Sequence, residues 1–141
     1  MRNYRDLQVW HNAHELTLDV YATTRTFPVE EKYGLTSQIR RASVSIGANL
    51  AEGCGRRSEA EFARFVRVAM GSGAELSYEL LVARDVNFLG SADYSRLDGS
   101  LCTLMRMLSS LLTKLAAASF NCTNVTCKFP AIFAGAAASF Q

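Results

Sequence analysis

LTSQIRRASVSIGANLAEGCG, residues 35–55, is the stretch whose reading decides the fold. Its apolar members Leu35, Ile39, Ala42, Ile46 and Leu50 recur at steps of three or four, which places them along one side of an α-helix. Small residues crowd around that stripe, namely Ala42, Ser43, Ser45, Gly47, Ala48 and Ala51, so a neighbouring helix can approach closely. The run Gly53-Cys54-Gly55 closes the segment, and a glycine there is expected to supply a left-handed C-cap.

The same period extends to both sides. Upstream, Val9, Ala13, Leu16, Val20 and Phe27 form one stripe, widened by Trp10 and Tyr21 and predicted to stop just before Pro28. Downstream, Ser58 and Glu61 make a Ser-x-x-Glu capping box ahead of Phe62. The helix they open carries Phe62, Phe65 or Val66, Ala69, Gly73, Leu76, Leu80 and Ala83, with Gly90 as the expected stop. Gly71 and Gly73 lie inside it at a cost of about 2 kcal/mol relative to alanine, and close contact with the small face of the second helix is the expected compensation. A fourth stripe runs Tyr94, Leu97, Leu101, Leu104 or Met105, Leu108, Leu111 or Leu112, and Leu115, with Ser91 or Asp93 as its cap. Four long helices on short connections predict an all-α, antiparallel up-down-up-down four-helix bundle over residues 1–118. Residues 119–141 hold one charge (Lys128), four phenylalanines and no period, and form a C-terminal tail to which no structure is assigned.

Composition narrows the function. A chain of 141 residues with 49% apolar and 20% charged residues can bury one sizeable core, which excludes a wholly disordered protein. No apolar run approaches the ~20 residues of a membrane span, and the N-terminus does not read as a signal peptide, so a cytoplasmic protein with no membrane partner is expected. Cys54, Cys102, Cys122 and Cys127 form no C-x-x-C pair and read as free thiols in a reducing compartment. On that reading the sequons at Asn121 and Asn124 are chance matches.

Signals for catalysis are weak. His11 and His14 stand three apart beside Glu15, but the chain has no Glu-x-x-His with which a helical metal site could be completed. Cys54 lies beside Arg56 and Arg57 without a partnered histidine and reads as an inert thiol. No catalytic residue, metal or cofactor is therefore expected. The stronger feature is basic: Arg40, Arg41, Arg56, Arg57, Arg64 and Arg67 face only Glu52, Glu59 and Glu61 between positions 40 and 67. Such a set suits phosphate, whereas the alternative is a solvated face with pairs such as Glu61 with Arg64. Asn49 and Glu52 on the second helix, with Glu75 and Glu79 on the third, draw polar lines on apolar helices. Their expected roles are to fix register or to pair with arginines within or between subunits.

Several segments carry a resemblance. YRDLQVW at 4–10, Phe27-Pro28 with Glu31, Tyr33-Gly34-Leu35 and QIRRA at 38–42 occur in order, followed by SVSIGANLAEG at 43–53 and AMGSGAEL at 69–76. Over about residues 4–115 the chain resembles the four-helix-bundle proteins encoded by intervening sequences in bacterial 23S ribosomal RNA genes. It departs from the pattern at Gly47, where the family often has proline, and at Ser77, where it often has an acidic residue. The resemblance implies an antiparallel bundle assembled as a ring-like homopentamer, with no enzymatic activity. It also implies kinship to the accessory protein of diversity-generating retroelements, a basic pentameric barrel that works with nucleic acid. Two functions follow as expectations. In the first, a homo-oligomer binds structured RNA such as ribosomal RNA through the six arginines. In the second, the protein is an interaction scaffold whose arginines serve subunit interfaces.

Overall fold

The computed structural model describes residues 2–121, with side-chain surroundings described to Ala118. Helix α1 spans Gln8–Thr23, α2 Leu35–Cys54, α3 Glu59–Asp85 and α4 Ser91–Asn121, and no strand occurs among the described residues. Short 3₁₀ turns at Tyr4–Asp6, Thr24–Thr26 and Val29–Glu31 flank α1 and lead into α2. The tail beyond Asn121, with Cys122, Cys127 and both sequon threonines, lies outside the described residues.

Cross-helix contacts fix the directions. Thr17 Oγ1 donates to the Ser43 carbonyl at 3.1 Å, and Ser45 and Ser72 share a 2.8 Å hydroxyl contact between α2 and α3. Arg84 of α3 stacks over Tyr94 of α4, and Arg96 near the start of α4 pairs with Asp19 near the end of α1. The last two pairings join the end of one helix to the start of another, and the first two join middle to middle, as antiparallel neighbours do. The helices therefore run up, down, up and down around a square, with α4 closing against α1.

The core is the set of stripes. Val20, Ile39, Ile46, Leu50, Phe62, Val66, Leu76, Leu80, Leu97, Leu104 and Leu108 are essentially inaccessible to water. Each such side chain contributes about 1.5–3 kcal/mol on burial. The α-helical part of the first segment ends at Thr23; a 3₁₀ turn continues it to Thr26, and Phe27 turns extended ahead of Pro28, as expected for a residue preceding proline. Helix α2 is capped from the preceding turn, where Glu31 Oε2 accepts the Leu35 N–H at 2.9 Å and places a carboxylate at the helix's positive end. Ser58 caps α3, its Oγ accepting from the Glu61 N–H at 3.1 Å.

Four local expectations are corrected. Gly55 is right-handed (φ −76°), so α2 does not end on a left-handed cap. Gly53 instead lies buried in the last turn of α2, where a Cβ would come within 2.8 Å of Phe62 and Phe65. It is glycine because α3 crosses there. Gly73 faces α4, where a Cβ would strike Met105 Sδ, and Gly71 points into open space, so neither packs on the small face of α2. Helix α3 stops at Asp85, not near Gly90, because Asn87 turns the chain with φ 63°, a left-handed conformation asparagine tolerates. Neither Ser91 nor Asp93 acts as the α4 cap: both lie in its first turn, where Tyr94 N–H donates to the Gly90 carbonyl and Asp93 pairs with Arg96.

Helix α4 also revises the membrane argument. Over Ser91–Ala118 it is long and apolar enough, by length and composition, to cross a bilayer. Leu97, Leu101, Leu104, Leu108 and Leu115 on it are nevertheless buried against the other helices, so the bundle core already uses that apolar stripe.

Candidate nucleic-acid interface

The six arginines fall into two groups. Arg40 and Arg41 sit in the first half of α2, while Arg56, Arg57, Arg64 and Arg67 gather around the α2–α3 turn. About 22 Å of helix separates Arg41 from Arg56 at 1.5 Å per residue, so they do not form one short patch.

At the turn the acids are occupied. Glu52 pairs with Arg56 one turn on, and the Arg56 guanidinium lies over the Phe65 ring at 4.9 Å. Glu59 pairs with Arg2 from the N-terminal segment, whose guanidinium covers Phe62 at 5.0 Å. Glu61 is held in the capping box, with Ser58 Oγ 3.2 Å from its Oε2, and the expected Glu61–Arg64 pair is not formed. Arg57, Arg64 and Arg67 are exposed and have no ion pair among the described residues. Arg64 and Arg67 project from one side of the first turns of α3, and Arg57 precedes the same helix. Nothing in the sequence shows Arg2 reaching Glu59, because 57 residues separate them.

Arg41 is likewise exposed, whereas Arg40 is anchored. Its Nε donates to Thr24 Oγ1 at 2.8 Å, and its guanidinium lies 4.7 Å from the Tyr21 ring centre. Lys32 and Tyr33 stand beside this pair on the approach to α2 and were not anticipated as site residues.

The polar lines divide. Asn49 Nδ2 donates to the Ser45 carbonyl at 2.7 Å and to its hydroxyl at 3.1 Å, and Ser45 in turn meets Ser72. Through Ser45 and Ser72 that network ties α2 to α3. Glu79 corrects the expectation of arginine pairing: it is 6% exposed, and its Oε2 has no hydrogen-bond partner. Burial first, then the charge of Glu75 and a side-chain hydrogen bond with it, push the Glu79 carboxyl up to about 7.

The other candidates have structural roles. His14 stacks on Trp10 with ring centres 5.2 Å apart, and His11 Nε2 lies 2.6 Å from the Arg5 carbonyl. Among the described residues no group of three metal-ligating side chains converges. Cys54 is buried, and desolvation pushes its thiol up, only partly opposed by the charge of Arg2. Cys102 is a free, exposed thiol.

Fold and surface together define a class: a four-helix bundle that shows a basic turn. The chain belongs to the 23S rRNA-intervening sequence protein family, whose model matches residues 5–110. A similar solved structure is that of a protein with unknown function from the S23 ribosomal protein family of Bacteroides thetaiotaomicron. The two are 20% identical with a TM-score of 0.67, over 74% of this chain and 97% of that one, a likeness that establishes the fold. No curated protein matches the chain.

Proposed function

We propose that the protein is a non-enzymatic, cytoplasmic homo-oligomer, a pentamer by family resemblance, that binds structured RNA such as ribosomal RNA. The observation that carries this reading is the partition of charge at the α2–α3 turn. Glu52, Glu59 and Glu61 are occupied by Arg56, Arg2 and Ser58, while Arg57, Arg64 and Arg67 face solvent. Arginine's planar fork suits bidentate contact with phosphate, and several copies in one assembly multiply a weak site through avidity. Affinity for a transcribed 23S ribosomal RNA fragment should fall steeply with salt. Replacing Arg57, Arg64 and Arg67 by alanine should reduce the slope of log affinity against log salt by about 0.9 for each lost duplex phosphate contact. Absence of binding at low salt, or an unchanged slope in the triple variant, overturns the reading.

A second reading, an interaction scaffold with arginines at subunit interfaces, is favoured by apolar exposure on the helix that carries Arg64 and Arg67. Val68 is 47% and Tyr78 68% exposed, and both share the outer side of α3 with Arg64. Dissociation of the oligomer in light scattering after replacement of Arg40 and Arg41, with RNA affinity absent in the parent, selects this reading.

A further inference from the structure

A groove of about 530 Å³ opens between the end of α1 and the first half of α2, within the range of roughly 300–1,000 Å³ typical of ligand sites. Three cations, Lys32, Arg40 and Arg41, line it together with the rings of Tyr21 and Tyr33, and no carboxylate does. Arg40 is arranged before any ligand arrives. Buried Thr24 takes its Nε–H and itself donates to the Val20 carbonyl at 2.8 Å, while the Tyr21 ring supports the guanidinium plane. The terminal Nη groups of Arg40 have no described partner, so a fork of donors is held in place for an anion.

We propose that this groove holds one unpaired nucleotide of a single-stranded RNA segment, its phosphate on Arg40 and Arg41 and its base against Tyr33. The proposal rests on the RNA-binding reading and adds the form of RNA that is recognised. The base is assigned to Tyr33 because that ring is 87% exposed, with only Lys32 over it at 5.4 Å. Stacking on an aromatic side chain is the usual means of holding a splayed base and tolerates any sequence. A duplex keeps its bases stacked internally and leaves Tyr33 without a partner.

The test uses the full chain, a fluorescein-labelled single-stranded RNA decamer and the corresponding blunt duplex, read by anisotropy at low salt. Tyr33→Ala should weaken single-strand binding about tenfold or more, and Tyr33→Phe should restore most of it. Duplex affinity should be unchanged in both variants. Single-strand affinity unchanged in Tyr33→Ala but lost in the Arg57, Arg64 and Arg67 triple variant overturns the groove assignment and leaves the basic turn standing. Failure of the parent to bind either RNA overturns both. Displacement of the single strand by poly-glutamate with the same dependence on Tyr33 assigns the groove to an acidic protein partner and overturns the nucleotide.

Discussion

Replacing Glu79 by glutamine should flatten the pH dependence of stability. The carboxyl sits on the buried side of α3 with Oε2 unpartnered and Glu75 one turn away, and its value rises from 4.5 to about 7. A raised carboxyl means that the folded state holds its proton more tightly than the unfolded chain does. The resulting stability is fully present below 4.5 and is lost as pH rises through about 7. At about 1.4 kcal/mol per tenfold change, the whole effect is at most ~3 kcal/mol, of which roughly 2 kcal/mol falls between pH 5.5 and 8. Urea unfolding followed by circular dichroism across that range measures it. The parent should lose stability toward pH 8 relative to Glu79→Gln, and Glu75→Gln should shrink the loss, since both the charge of Glu75 and its hydrogen bond raise the Glu79 value. The readout is the slope, so any constant offset from the substitution cancels. Parallel profiles for parent and Glu79→Gln would refute the assignment.

Three further outcomes follow from packing and capping. Gly53→Ala places a methyl 2.8 Å from Phe62 and Phe65 and should destabilise by about 1–3 kcal/mol in denaturant titration; an unchanged midpoint would mean the helices do not cross closely there. Gly71→Ala meets no atom within 4 Å and should stabilise by about 1 kcal/mol, visible as a higher melting temperature. Ser58→Ala removes the acceptor for the Glu61 N–H and should cost about 1 kcal/mol, again by thermal melting.

The helices were legible because burial imposes a 3.6-residue period on the sequence, and the stripes read there form the core, although Tyr21, read as widening the first, is exposed. The capping box was legible because its chemistry is local. Glycine was misread for a physical reason: a helix end and a close crossing both select for the missing Cβ, and the sequence Gly53-Cys54-Gly55 fits either. Which helix meets Gly73 is a tertiary matter, and Met105 of α4 rather than α2 proved to fill that space. At the site, the arginines could be counted but their partners could not. Arg2 finds Glu59 across 57 residues, and Tyr21 meets Arg40 only because the chain reverses between α1 and α2. Glu79 reads from its spacing like a salt-bridging residue, yet its surroundings are apolar and a second carboxylate.

The net charge of +2 conceals how the charge is arranged. An exposed ion pair adds only about 0–1 kcal/mol, so Arg2–Glu59 and Arg56–Glu52 do little to hold the bundle together. Their consequence is electrostatic. Each of these arginines also covers an aromatic ring of α3, Phe62 for Arg2 and Phe65 for Arg56, and that apolar contact keeps the guanidinium near its acid. Glu52 and Glu59 are thus neutralised by arginines packed on aromatic rings, Glu61 is held by Ser58, and Arg57, Arg64 and Arg67 are left exposed without an ion pair among the described residues. Arg40 is anchored in the same way on Tyr21 and Thr24, but no acid meets it, so at the groove the anchored cation is itself available to an anion. The two basic regions therefore use one device to opposite ends: at the turn it silences acids, and in the groove it presents a cation.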